Sequence, residues 1–245
     1  MRFTTRAPSA ALVLCAAVVV TACGGGGDDG PTPTTGAWTG TTSSNRELTA
    51  LVLSDGSAYF LYSGAGTPAV LGGAIQGTGA FTGLDFASTD ALDFSVEGGG
   101  ITGGSIAAAV ARGPVFAGTF TGTASTFTFQ AAYDTNFNAL PSLEELAGSF
   151  AGQAGFALGI RAATFVVTGA GAVSSNINGC AITGTATPRR DGNVYDLSIA
   201  FGAAPCALPG LQFTGVAYLR PDSGQLIAIA RNAATRQSVL FSGKR

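Results

Sequence analysis

Apolar and polar residues alternate in short runs along most of this chain, with Gly-bearing breaks between the runs. That period of two belongs to strands that bury one face. The pattern predicts strands over 37–43, 48–53, 58–62, 69–75, 91–97, 105–112, 115–121 and 126–132. A second series follows at 148–154, 161–168, 172–177, 181–187, 194–201, 212–219, 225–230 and 237–241. Between the second and third lies Ser54-Asp55-Gly56, a hairpin signal because Asp-Gly accepts the positive φ of tight turns.

The two series repeat one another. Gly36-Ala37-Trp38-Thr39-Gly40 recurs as Gly148-Ser149-Phe150-Ala151-Gly152, and Ala74-Ile75-Gln76-Gly77-Thr78 as Ala181-Ile182-Thr183-Gly184-Thr185. Asp93-Phe94-Ser95-Val96 recurs as Asp196-Leu197-Ser198-Ile199, and Thr102-Gly103 as Thr214-Gly215. The second copy inserts residues 203–210 before the last match. Order is kept throughout, which marks an internal repeat. The chain therefore reads as an all-β protein of two tandem antiparallel up-and-down units, 36–132 and 147–245, of about eight strands each. Eight short strands in roughly 100 residues close into a small barrel and so lose their exposed edges, with a two-sheet sandwich as the alternative. Between them, residues 133–146 form a linker in which Ser142 and Glu145 make a capping box, predicting one helical turn over 143–146. That turn would plug a barrel end or pack between the units.

The N-terminal segment departs from this pattern. Arg2 and Arg6 precede an apolar stretch from Ala10 to Val20, and Val20-Thr21-Ala22-Cys23 runs into four glycines. Such a layout predicts a signal peptide over 1–22. The apolar run is shorter than the roughly 20 residues of a membrane span. Val20-Thr21-Ala22-Cys23 resembles the lipobox of bacterial lipoproteins. The resemblance implies cleavage before Cys23, acylation there with palmitate or a similar chain, and anchoring by lipid. Gly24 rather than Asp follows Cys23, which by resemblance to enterobacterial sorting implies the outer membrane, facing either the periplasm or the surface. Residues 23–35 then serve as the tether, flexible through Gly and stiffened by Pro31 and Pro33.

Composition narrows the chemistry. Charged residues make up 11% of the chain, against about 25% in ordinary domains. Histidine is absent, which removes the usual general base, the commonest zinc ligand and any Ser-His-Asp triad. There is no Gly-x-Ser-x-Gly elbow or P-loop, and no cofactor is implied. Of the four cysteines, Cys15 lies in the signal and Cys23 takes the lipid. Cys180 and Cys206 remain, an even pair in an exported protein, and are expected to form a disulfide.

The remaining candidates are sparse. Asp134, Asn136 and Asn138, with Ser142 and Glu145, resemble the ligand positions of an EF-hand calcium loop. Ala139 replaces its turn glycine and Pro141 its usual aliphatic residue, so a polar linker accounts for the same residues. Paired carboxylates, as a glycosidase needs, would have to come from Glu47, Asp55, Asp85, Asp90, Asp93 and Glu97. Residues 36–132 hold Arg46 and Arg112 against these six acids, net −4. Residues 147–245 hold Arg161, Arg189, Arg190, Arg220, Arg231, Arg236, Lys244 and Arg245 against Asp191, Asp196 and Asp222, net +5. The halves attract each other, or the basic residues are simply solvated, or the second unit faces an anionic envelope component or protein. Without interleaved aromatic residues, nucleic acid is not an expected partner. Trp38 and Phe150, at matching positions, read as core anchors.

Beyond the lipobox, the Gly-aromatic-Gly strand starts and the Gly179-Cys180 and Pro205-Cys206 pair resemble Gly-rich all-β outer-membrane lipoproteins of proteobacteria. That group carries no assigned activity to transfer. A lipid-tethered eight-stranded barrel is also similar, at the level of fold, to surface lipoproteins that bind host proteins. The expected function is a non-enzymatic binding or scaffolding module. The alternatives are a carrier of a small apolar ligand inside a barrel and a carbohydrate-active enzyme using paired carboxylates.

Overall fold

A strand that is apolar on one side needs a partner layer, and a sheet that curls onto itself supplies that layer without leaving an edge. The chain does this twice. The computed structural model describes Met1 and residues 34–245; the predicted signal peptide, Cys23 and the predicted tether as far as residue 33 lie outside the described residues. The first barrel comprises β1 (Gly36–Thr42), β2 (Glu47–Val52), β3 (Ser57–Gly64), β4 (Thr67–Thr82), β5 (Asp85–Ser95), β6 (Gly100–Ala111), β7 (Val115–Gly122) and β8 (Thr126–Tyr133). The second comprises β9 (Gly148–Phe156), β10 (Gly159–Val167), β11 (Ala172–Ile177), β12 (Cys180–Pro188), β13 (Val194–Phe201), β14 (Gln212–Arg220), β15 (Gln225–Arg231) and β16 (Ser238–Lys244). Each is an antiparallel up-and-down barrel, closed by β1 against β8 and by β9 against β16.

All four repeated segments fall on corresponding strands, β1 and β9, β4 and β12, β5 and β13, β6 and β14. The closing seams correspond too. Gly40 pairs with Ala131 on β8, and Gly152 pairs with Gly243 on β16. At each of these glycines a Cβ would run into a partner-strand carbonyl, that of Gln130 or of Ser242. The seams thus close on strands packed too tightly for any side chain there.

Eight-stranded barrels are just wide enough for side chains to fill. The first is filled by aromatic rings: Trp38, Phe60, Phe86, Phe116, Phe120 and Phe129 are buried in one cluster. Trp38 and Phe116 lie 4.9 Å apart, and Phe60 meets Phe129 edge-on at 5.4 Å. The second holds Phe150, Phe165, Tyr195, Phe201, Phe213 and Phe241 among aliphatic residues. Trp38 and Phe150 are both fully buried, as expected of core anchors.

The strands differ from expectation in β4 and β5. The apolar run 69–75 lies within a 16-residue strand, and β5 starts at Asp85 rather than at 91. Register shifts between Gln76 and Gly79 and between Ser88 and Ala91 bend both strands. Beyond these bulges the ladder continues through residues with little apolar signal.

The linker divides its work. Thr135–Asn138 forms a 3-10 turn whose Phe137 packs between the barrels, among Ala37, Leu51, Val194 and Tyr218. Helix α1 (Leu143–Leu146) forms where expected, with one half of the capping box: the Ser142 hydroxyl accepts from the Glu145 N–H at 3.1 Å, while the Ser142 N–H donates to the Tyr195 hydroxyl and not to the Glu145 side chain. Leu146 enters the core of the second barrel, and the buried Tyr195 hydroxyl bonds the Ser142 backbone from within. α1 therefore closes one end of the second barrel.

The seam predicts a contrast among glycines. Gly40→Ala and Gly152→Ala should each cost about 1–3 kcal/mol, through overpacking against backbone. Gly103→Ala on β6, where a Cβ meets nothing within 4 Å, should be neutral or slightly stabilising. Denaturant midpoints of the three variants check this.

Candidate functional site

Both barrels belong to one compact unit, and the polar groups of the chain concentrate where they touch. Arg189, just past β12, donates to Asp191 (2.9 Å) and Asp196 (2.7 Å) of its own barrel and to Asp55 of the other (3.0 Å). Asp191 accepts in turn from the Ser54 N–H (3.1 Å) and hydroxyl (2.9 Å) across the interface. Burial pushes the Asp191 carboxyl up, but Arg189 and Ser54 outweigh it and hold the group at about 2, below its ordinary 3.8. Asp55 is lowered in the same sense: burial opposes the shift, and the Ser57 N–H and Arg189 produce it. The opposite charges of the two halves thus meet at Arg189 and Asp55.

A second arginine ties the linker to both barrels. Arg220, ending β14, donates from Nε to Asp134 (2.7 Å), from Nη1 to Gln225 (2.7 Å), and from Nη2 to Thr39 (2.9 Å) and Thr49 (3.1 Å) of the first barrel. Burial raises the Asp134 carboxyl, while Arg220 and Asn136 pull it below the ordinary value. These carboxylates are held ionised as acceptors, which suits staples and not proton transfer.

The calcium-loop residues are turned to other partners. Asp134 caps the 3-10 turn, accepting from the N–H (3.1 Å) and Nδ2 (2.7 Å) of Asn136 in addition to Arg220. Asn136 Nδ2 also reaches Asp222 at 3.1 Å. Asn138 Oδ1 accepts from the Tyr133 hydroxyl at 2.7 Å, and Glu145 contributes its backbone N–H to the α1 cap. Among the described residues no group of three or more His, Cys, Asp or Glu is placed to hold a metal.

The six acids of the first barrel do not gather. Glu47 and Asp85 are exposed, Asp90 accepts from Thr78 and Ser88, and Glu97 pairs with Arg46. Asp93 points into the first barrel and accepts from the Tyr62 hydroxyl at 2.7 Å. Burial raises the Asp93 carboxyl, against the pull of Tyr62 and Arg46. This buried pair had no sequence signal beyond the inward phase of both residues on their strands.

Several concavities accompany these groups, one of about 420 Å³ being lined by Asp90 of the first barrel together with Arg231 and Arg236 of the second. A groove of about 700 Å³ between the barrels is lined by Thr39, Glu47, Gln153, Gln225 and Lys244 among others. Inside the second barrel is a void of only about 30 Å³, room for one water at most. A pocket of about 160 Å³ lies at the mouth of that barrel, opposite the α1 end. Over this mouth folds the loop between β13 and β14, which contains the inserted residues 203–210. The Cys180–Cys206 disulfide, Cα atoms 4.5 Å apart, ties it to the start of β12. The expected pair is therefore made, and it secures a lid. Cys23 lies outside the described residues.

Arg189 and Arg220 escaped the sequence reading. For Arg220 the available signal was its place at the end of a strand with apolar residues on both faces, Val216-Ala217-Tyr218-Leu219, which marks a sheet covered on both sides; Arg189, in the turn past β12, carried no such signal.

Two predictions follow from the staples. Arg220→Met strands the Asp134 carboxylate and should cost about 3–5 kcal/mol in chemical denaturation; adding Asp134→Asn should recover a large part of it. Because the Asp191 carboxyl is lowered on folding, its stabilisation is complete above 3.8 and drains away as pH falls toward about 2. Asp191→Asn should flatten acid unfolding, followed by circular dichroism, in that window. No family model, curated protein or solved structure matches the chain, and a function has to be argued from its own residues.

Proposed function

We propose that this chain is a non-catalytic envelope lipoprotein, anchored through Cys23 at the outer membrane, whose paired barrels act as one rigid binding or scaffolding module. The observation that carries this reading is how the charged groups are used. Arg189, Arg220, Asp55, Asp134 and Asp191 hold the barrels and linker together, and a reacting constellation would need such groups free and convergent. Filled barrel interiors favour a module that presents its outside over one that carries cargo along its axis. The lipobox and the Gly-Pro tether favour a body held off a bilayer by lipid.

Mass spectrometry of the full-length protein recovered from membranes of a producing bacterium tests the anchor. The expected product begins at an acylated Cys23, and Cys23→Ser should shift the protein from the membrane to the soluble fraction. An unmodified Cys23 within a membrane-free protein overturns the reading.

A further inference from the structure

The two ends of the second barrel are chemically unlike. Its three acids, Asp191, Asp196 and Asp222, belong to the α1 end, two in the turns there and one early in β13. The mouth end carries Arg161, Arg231 and Arg236 and no acid of this barrel. Arg161 occupies a particular place: it continues the inward row of β10 formed by Ala163, Phe165 and Val167, at the point where that row reaches the rim. Arg161 lines the mouth pocket. Its one hydrogen bond among the described residues runs to the carbonyl of neighbouring Ile160, and it makes no ion pair there.

Beneath Arg161 the pocket is mostly apolar, Asn178 being its other polar side chain. Phe156 stands edge-on to Phe201 at 5.8 Å, with Ile177 and Ile182 beside them and Ala207 and Leu208 of the lid above. Leu158, two-thirds exposed, stands at the rim. At about 160 Å³ the space matches an apolar cavity that takes a benzene-sized guest, so a tail of about six carbons fills it. An unpaired planar cation above a small apolar well fits a monoanion with a short tail, since the guanidinium fork matches a carboxylate.

We propose that the lidded mouth of the second barrel is a binding site for medium-chain carboxylates, with Arg161 receiving the headgroup and the Phe156–Phe201 well the tail. The site does not depend on the lipid anchor, so either idea can fail alone. Its lid is the inserted segment 203–210, which the first barrel lacks.

Isothermal titration calorimetry of the full chain with hexanoate, octanoate and 1-octanol tests the site. Octanoate should bind, hexanoate about tenfold or more weakly at about fourfold per methylene, and octanol at least tenfold more weakly than octanoate. Arg161→Gln, a change at an exposed position, should drop octanoate to the level of octanol with the melting temperature unchanged. Absence of octanoate binding at millimolar concentration overturns the proposal. So does equal affinity for octanoate and octanol, or a carboxylate preference that survives Arg161→Gln.

Discussion

A closed barrel offers no strand edge, so two such barrels are joined mainly through the side chains on their outer faces. That constraint shapes the middle of this molecule. Leu61, Leu71, Phe94 and Val96 of the first barrel bury themselves against Ile227, Ile229 and Leu240 of the second. Leu51 and Leu53 meet Val194, Val216 and Tyr218, and Tyr59 packs against both groups. Each such side chain contributes about 1.5–3 kcal/mol when fully buried. Exposed ion pairs contribute about 0–1 kcal/mol, and the Asp55 side chain in the Arg189 pair is 48% exposed. Apolar burial therefore sets the strength of the union. The directional bonds of Arg189, Arg220, Gln153 to the β4 backbone and Gln76 to Ser238 set its alignment.

The same constraint explains what could be read from the sequence. Strands with one wet face alternate cleanly, and β11 and β13 begin and end where the alternation says. The capping pair Ser142 and Glu145 placed α1 for a similarly local reason. Interface strands obey a different rule, because both of their faces are buried. In β2 the run Leu48-Thr49-Ala50-Leu51-Val52 is buried throughout, Thr49 included. That run announces a covered outer face but not what covers it, so the side-by-side fusion stayed hidden. The far half of β4 escaped because a bulged ladder is held by backbone bonds, to which Gly79 and Thr82 add no apolar pattern.

The candidate sites were legible in proportion to how local they are. Cys180 and Cys206 could be paired by elimination, because the other two cysteines had assignments. The oxygens of Asp134 and Asn138 look like metal ligands when only the linker is considered. In three dimensions Asp134 belongs to Arg220, 86 residues along the chain, and Asn138 accepts from the nearby Tyr133 hydroxyl. A partner as distant as Arg220 leaves no spacing to detect. Asp93 and Tyr62 are likewise 31 residues apart and meet only because both point into the same barrel.

Two copies of one strand pattern have come to hold different interiors. The first barrel packs aromatic rings from wall to wall, and a chain so filled gains stability at the expense of space. The second intersperses its rings with aliphatic residues such as Val167, Val173, Ile182 and Ile199. It also plugs one end with α1 and roofs the other with an inserted, disulfide-tied loop. A barrel needing only stability would have no use for a roof, since rings like those of the first copy would fill it more simply. Charge follows the same axis: the acids of this barrel collect at the α1 end, where Arg189 pairs with Asp191 and Asp196 and Asn136 reaches Asp222, and its roofed end carries arginines and no acid. The insertion, the apolar well and the unpaired Arg161 meet at one rim, so the difference between the copies lies where a ligand would enter.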